Sequence, residues 1–253
     1  METFRTLEDA KLFTQKLPWE KGNEDALTNI FHEKLAPYFL YGGYIRVLDR
    51  YRVYIKCVEF YFHSEKENGI KDPIVYHRNN YHVEGILPYF KPFTFHAHAS
   101  GFDIAFENPI EEYRASLLIR AYEVYDEADE YKDKPFLNAN NGKFNHSCDP
   151  QVNTQSTYLY DILNGFGDAG IISWIHEPSN QYLTNTCPLE SPAKRKNVPL
   201  YKTIMDSEEK VEKDYYINHK EEFANQFKEE PKFFKSSDKY YVNDPREWSF
   251  SRK

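Results

Sequence analysis

The chain has 253 residues, 40% of them apolar, with 21 Tyr and 19 Phe against 3 Trp, and a formal net charge of −8. That length can bury a sizeable core, and the aromatic content with only 10 Gly suits a β-containing globular domain rather than a disordered chain. The acidic balance argues against broad binding to phosphate backbones, which relies on clustered Lys and Arg. In chain order, residues 7–17 and 24–37 carry apolar spacings near three and four and are expected as amphipathic helices, the second with Asn23 as N-cap. Gly42-Gly43 breaks the helical pattern. From Tyr44 the text turns to strand, with a turn around Asp49-Arg50 and a long second arm through Phe62, the pattern of a β-hairpin. Residues 64–73 are a polar loop. The alternating run 93–108 is expected as a strand broken at Ser100-Gly101. The nearly continuous apolar run 115–124 is expected at the centre of a sheet. An acidic connector (126–133), polar loop material (138–157) and a short helix followed by a strand (158–176) come next. The text from about 207 is highly charged with helical spacing and is expected as a solvated surface helix.

Cys57, Cys148 and Cys187 form no CxxC or zinc pattern, so neither a disulfide framework nor a cysteine metal site is expected. The first residues lack a signal peptide's apolar stretch, and no run approaches the roughly 20 apolar residues of a membrane span. The expectation is a cytoplasmic protein with no membrane partner; nothing in the sequence indicates an oligomeric state.

Candidate chemistry concentrates between Cys57 and Glu123, where five of the nine histidines (His63, His77, His82, His96, His98) fall. Glu59 lies mid-strand with Tyr61 on the same face. A carboxylate held against aromatic rings loses hydration, which suits it to proton transfer or water activation; an exposed strand glutamate is the plainer alternative. His96 and His98, two residues apart on a strand, point the same way. They can begin a metal site if His63, His77, Asp103 or Glu107 converges on them. Arg120, inside an apolar strand, must leave the core or pair with a carboxylate, Glu59 or Glu123 being the nearest candidates. Lys194-Arg195-Lys196 is the only compact basic run, read as a solvated loop or a phosphate contact. Asn145-His146-Ser147-Cys148-Asp149-Pro150 resembles the NHSC-x-P signature of SET-domain lysine methyltransferases, over six residues and without that family's later cysteine cluster.

Read together, residues 44–124 resemble the alkyladenine (3-methyladenine) DNA glycosylase family. Val58-Glu59-Phe60-Tyr61 matches the end of that family's Val-Glu-x-Glu-Ala-Tyr strand, and Leu117-Leu118-Ile119-Arg120-Ala121-Tyr122-Glu123 matches its Val-Leu-Leu-Arg-Ala-x-Glu strand. His77 stands for the family's histidine and Phe95 to Gly101 cover its Tyr-rich motif. Asn141-Gly142-Lys143-Phe144 and Ser191-Pro192 are similar to two later motifs. The resemblance implies an α+β fold, a single glycosylase-like domain (1–206) around a curved, mainly antiparallel sheet with helices at its N-terminus; the charged text beyond it (207–253) is expected, from its own spacing, as a helical C-terminal extension packed on the domain. It implies hydrolysis of an N-glycosidic bond of the base excision repair type, on a damaged base in nucleic acid or a smaller nucleoside. Glu59 would activate water with Arg120 beside it, Tyr61 and His77 would stack on the extruded base, and no metal or other cofactor would be needed. The family's intercalating and base-stacking tyrosines fall on Ser100 and Ala97 here. A one-residue slide brings His98 to the stacking position and Asn108 to the substrate-facing Asn. Two other classes remain open: a metal-dependent enzyme on His96 and His98, and a non-catalytic binding module on the same fold.

Overall fold

The computed structural model describes residues 3–47, 49–72, 75, 77–79, 85–98, 101–127, 137–139, 172–195, 198–200, 232–236, 239–243 and 246–253. Helix α1 (Leu7–Thr14) starts at a reciprocal cap: Thr6 Oγ1 accepts the Asp9 amide at 3.0 Å and Asp9 Oδ2 accepts the Thr6 amide at 3.0 Å. A second helical run comprises α2 (Glu24–Ile30), a π-helical turn (Phe31–Leu35) and α3 (Ala36–Tyr41). Asn23 does not cap it through its side chain; instead the Glu24 carboxylate accepts the Gly22 amide at 2.8 Å. The run ends at Gly42-Gly43, where the backbone passes too close to its neighbours for any side chain. A Cβ on Gly42 would lie 2.6 Å from the Tyr38 ring, and one on Gly43 2.1 Å from the Ile175 carbonyl oxygen.

The main sheet is antiparallel and curved into a half-barrel. Its path runs β3 (Thr94–His98), β4 (Gly101–Ala105), β5 (Tyr113–Asp126), β2 (Tyr51–Ser64), β1 (Gly43–Val47), β7 (Ile172–His176). β6 (Leu137–Ala139) adds to β5 and β11 (Ser249–Ser251) to β2. The two fourteen-residue strands, β2 and β5, are its spine. Their buried apolar residues alternate, then change parity: Val53 and Ile55, then Val58, Phe60 and Phe62 on β2; Ala115, Leu117 and Ile119, then Tyr122 and Val124 on β5. The register explains the change. Ile55 faces Tyr122, Cys57 faces Ala121 and Val58 faces Ile119, so Lys56 and Arg120 are each left as the extra residue of a bulge. Each bulge turns its strand by one position, and together they keep the apolar series on one face along the whole length.

That face packs on the helices. Phe31 stacks on Phe60 with ring centroids 4.5 Å apart, Phe39 meets Phe60 and Phe106, and the Trp174 indole donates to the Tyr38 hydroxyl at 3.0 Å. Trp248, fully buried just before β11, packs edge-on to Phe31 and donates to Thr28 Oγ1 at 2.8 Å. A three-stranded antiparallel sheet is formed by β8 (Val198–Leu200), β10 (Lys239–Asn243) and β9 (Lys232–Ser236). A short helix, α4 (Asn180–Leu183), follows β7.

The hairpin, the strand pair 94–105 and the central position of 113–126 agree with the sequence reading. The C-terminal region departs from it. Residues 207–231 lie outside the described residues, and the described parts beyond them are strands rather than helix. Residues 249–251 join the main sheet, with Phe250 opposite Val58 in the core. The NHSC segment and the Asn141–Phe144 motif also lie outside the described residues. No helix among the described residues is long and apolar enough to cross a membrane.

Candidate functional site

Opposite the helix-covered face, the sheet carries a second face that is buried yet polar. Strand alternation puts Glu59, Tyr61 and His63 of β2 on it, with Arg114, Ser116 and Leu118 of β5 and Asp103 of β4. The β5 bulge adds Arg120. As the extra residue between Ile119 and Ala121, Arg120 is turned toward Glu59, and its Nη2 donates to Glu59 Oε2 at 2.5 Å. Tyr61 Oη donates to the same oxygen at 3.1 Å. Glu59 is 1% exposed and Arg120 9%. A carboxylate taken that far from water requires a counter-charge and hydrogen bonds, and these two groups supply them.

The protonation of the donors follows from the same packing. Burial pushes the Tyr61 phenol far up and the Glu59 charge adds to it, so Tyr61 stays protonated as a donor. Burial alone would pull Arg120 down, but Tyr61 and Glu59 outweigh it and push the guanidinium up, so Arg120 stays charged. Glu123, the other partner considered for Arg120, binds Lys56 Nζ at 3.1 Å instead.

Tyr61 is held from behind as well. The Arg195 guanidinium lies 4.8 Å from the Tyr61 ring centroid. Arg195 is itself fixed by Asp72, Nη1 to Oδ2 at 2.7 Å and Nη2 to Oδ1 at 3.2 Å, and donates to the Phe60 carbonyl at 3.1 Å. Arg246 adds a second guanidinium on Asp72 Oδ1 at 3.0 Å. The basic run 194–196 is therefore no solvated loop at its centre: Arg195 is buried and ion-paired. Burial lowers the pKa of both arginines and the Asp72 charge opposes it.

The remaining expected residues lie elsewhere on this face or at its rim. His77 pairs through Nδ1 with the fully buried Glu107, whose other oxygen accepts from Arg114 Nη1 at 3.1 Å and from the Phe90 amide at 2.6 Å. Arg114 reaches on to Glu65 (3.2 Å), Asn79 (2.7 Å) and the Tyr89 ring (3.6 Å). This cluster sits at the Arg114 end of the sheet, four residues along β5 from Leu118, a distance of about 13 Å at the strand rise. Asn108 closes the β4–β5 turn. Its Oδ1 accepts the Ile110 and Glu111 amides at 2.8 and 3.0 Å, and its Nδ2 donates to the Gln15 carbonyl at 2.8 Å. Those bonds hold Asn108 at the turn, away from Glu59. His98 occupies the end of β3 opposite Gly101; its side chain is outside the described residues, as is Ser100. His96 pairs in register with Asp103, bonds Thr94 Oγ1 at 3.0 Å and stacks on Phe90 at 3.6 Å. Among the described residues no group of three or more His, Cys, Asp or Glu is placed to hold a metal ion.

Comparison with models of known protein families, with characterised proteins and with solved structures found no match to this chain.

Proposed function

We propose that this protein hydrolyses the N-glycosidic bond of a modified nucleobase, with Glu59 as general base. The observation that carries the proposal is the buried Glu59–Arg120–Tyr61 constellation, built across two strands from residues 61 positions apart. Glu59 takes a proton from water as the water oxygen bonds to the anomeric carbon. The carbon–nitrogen bond breaks, and its electron pair leaves with the base. An alkylated, positively charged base departs neutral and needs no proton, so one activated water and a dry site suffice. Arg120 positions the carboxylate and keeps a positive charge beside it, and Tyr61 fixes the oxygen it shares with Arg120. The test is base release from alkylated single- and double-stranded DNA by wild type and Glu59→Gln. Release lost in the variant supports the proposal; release that is equal in both overturns it.

A further inference from the structure

The row of side chains that crosses the sheet at Glu59 is closed on one side and open on the other. Leu118 is 2% exposed and Glu59 1%. Ser249, the register partner of Glu59 on β11, is half-buried, and Ala193, which pairs with Ser249 from the far side, is exposed. Register partners point to the same side of a sheet, so Ser249 stands on the Glu59 face, on the side from which exposure rises. The next row repeats the pattern: Ser251 faces Cys57, both half-buried, and Ala121 beyond Cys57 is buried. Glu59 is therefore approached over the last strand of the chain.

β11 fixes the two serines from both edges. Phe250, between them, is fully buried opposite Val58, and the Trp248 carbonyl accepts the Phe60 amide at 2.9 Å. On the other edge Ser249 and Ala193 exchange two backbone hydrogen bonds of 3.0 Å. Ser249 and Ser251 lie about 7 Å apart along the strand, and each α-carbon is about 5 Å from that of its partner on β2. The Cys57 thiol is in hydrogen-bond reach of both serine hydroxyls, and burial pushes it up, so it stays protonated. The four side chains make a patch of two hydroxyls, a thiol and a carboxylate whose charge Arg120 balances. Groups of that kind suit a neutral, hydroxylated ligand. Arg120 adds an independent sign of one: its Nε is buried with no hydrogen-bond partner among the described residues, a state that matches an acceptor oxygen on a ligand.

We infer that Ser249, with Ser251 beside it, positions the sugar of the substrate, and that the site prefers a sugar with a hydroxyl on the carbon next to the anomeric centre. This rests on the proposed hydrolysis, which puts the anomeric carbon at Glu59. The neighbouring carbon is one bond away, and Ser249 is the hydroxyl in register with Glu59. A sugar hydroxyl both donates and accepts, as a serine hydroxyl does, so the two pair in either sense; the serine oxygen keeps lone pairs for it while donating to Cys57. A deoxy sugar offers no partner at that place. Ser249 is half-buried, so water satisfies it when the sugar does not, and the preference is several-fold rather than absolute.

The test uses the full chain and two readouts: calorimetric affinity for guanosine and deoxyguanosine, and base release from their N-methylated forms, each rate divided by that of the free nucleoside. Wild type is expected to favour the ribose member about threefold to tenfold in both, the size of one hydrogen bond between neutral groups. Ser249→Ala brings the two sugars within about twofold of each other by weakening the ribose member, and Ser249→Thr, which keeps a hydroxyl, retains the preference. If Ser249→Ala fails to fold, Ser251→Ala decides instead, with a preference narrowed by about twofold or more. A preference that survives these alanine variants, equal affinity of wild type for the two sugars, or no binding of either nucleoside overturns the inference. A Ser249-dependent preference in binding without base release overturns the hydrolysis and leaves the sugar recognition standing. Release that Glu59→Gln abolishes, with a preference that Ser249→Ala does not change, does the reverse.

Discussion

Replacing Arg120 by Met removes the counter-charge from a carboxylate that is almost wholly buried. The side chains of the pair are 10% and 1% exposed, and their contact is 2.5 Å. Removing one partner of a buried ion pair costs about 3–5 kcal/mol because the other charge is stranded. The slight exposure of Arg120 and the retained Tyr61 hydrogen bond place this variant near the lower end, about 3 kcal/mol. For a chain of this length that lowers Tm by about 6–12 °C. The double variant Glu59→Gln/Arg120→Met is a sharper test. With residue 59 neutral, no charge is stranded, and the double variant recovers at least about 2 kcal/mol relative to the sum of the singles. Equilibrium denaturant unfolding of the four proteins, followed by circular dichroism, measures this directly. Additivity within about 0.5 kcal/mol would mean that the two residues are energetically independent, and would refute the assignment of Arg120 as the counter-ion of Glu59.

Two further perturbations test the surroundings of the site. His63 is buried, and burial together with Lys71 and Arg78 holds it well below the ordinary histidine value; the Asp72 amide donates to its Nδ1 at 3.1 Å. The folded state therefore keeps His63 neutral while the unfolded chain protonates it below about pH 6.5. Its stabilisation is present above that pH and is lost on acidification at about 1.4 kcal/mol per pH unit. His63→Asn keeps an acceptor near Nδ1 and lacks the titration, so unfolding midpoints from pH 7 to 5 should fall more steeply for wild type; parallel curves contradict the assignment. Asp72→Asn leaves Arg195 and Arg246 facing a neutral amide, with an expected loss of about 3–5 kcal/mol in denaturant unfolding. The Phe62 amide, which donates to Asp72 Oδ2 at 3.2 Å, should exchange its hydrogen faster. A loss below about 1 kcal/mol would contradict a joint role for the three charges.

Local pattern made much of the fold readable. Period-two alternation places Glu59 and Tyr61 on one face, and the apolar run around Leu117 marks the central strand. The change of parity after Ile55 is visible in the letters of β2, where Val53 and Ile55 give way to Val58, Phe60 and Phe62. On β5 the nearly continuous apolar run hides it, so the turn of Arg120 away from the core and toward Glu59 shows only in the register. What stays hidden is contact between distant segments. Asp72 meets Arg195 and Arg246 across 123 and 174 positions, and no periodicity links them. The basic run at 194–196 looks solvated because its partner is invisible from sequence. The ion pairs of Glu107 and Arg114 stay hidden too, because their partners Glu65, His77 and Asn79 lie in an irregular segment. Charged composition misleads at the C-terminus, where Trp248 and Phe250 contribute apolar surface that draws the last strand into the main sheet.

Single-turnover release of base from N-methylated DNA, comparing wild type with Glu59→Gln, tests the central claim most directly. The account predicts release by wild type and a fall of about 10²–10⁴-fold in the variant, the range that a positioned general base contributes. Equal release by the two proteins, or none from wild type on either strand form, would contradict it.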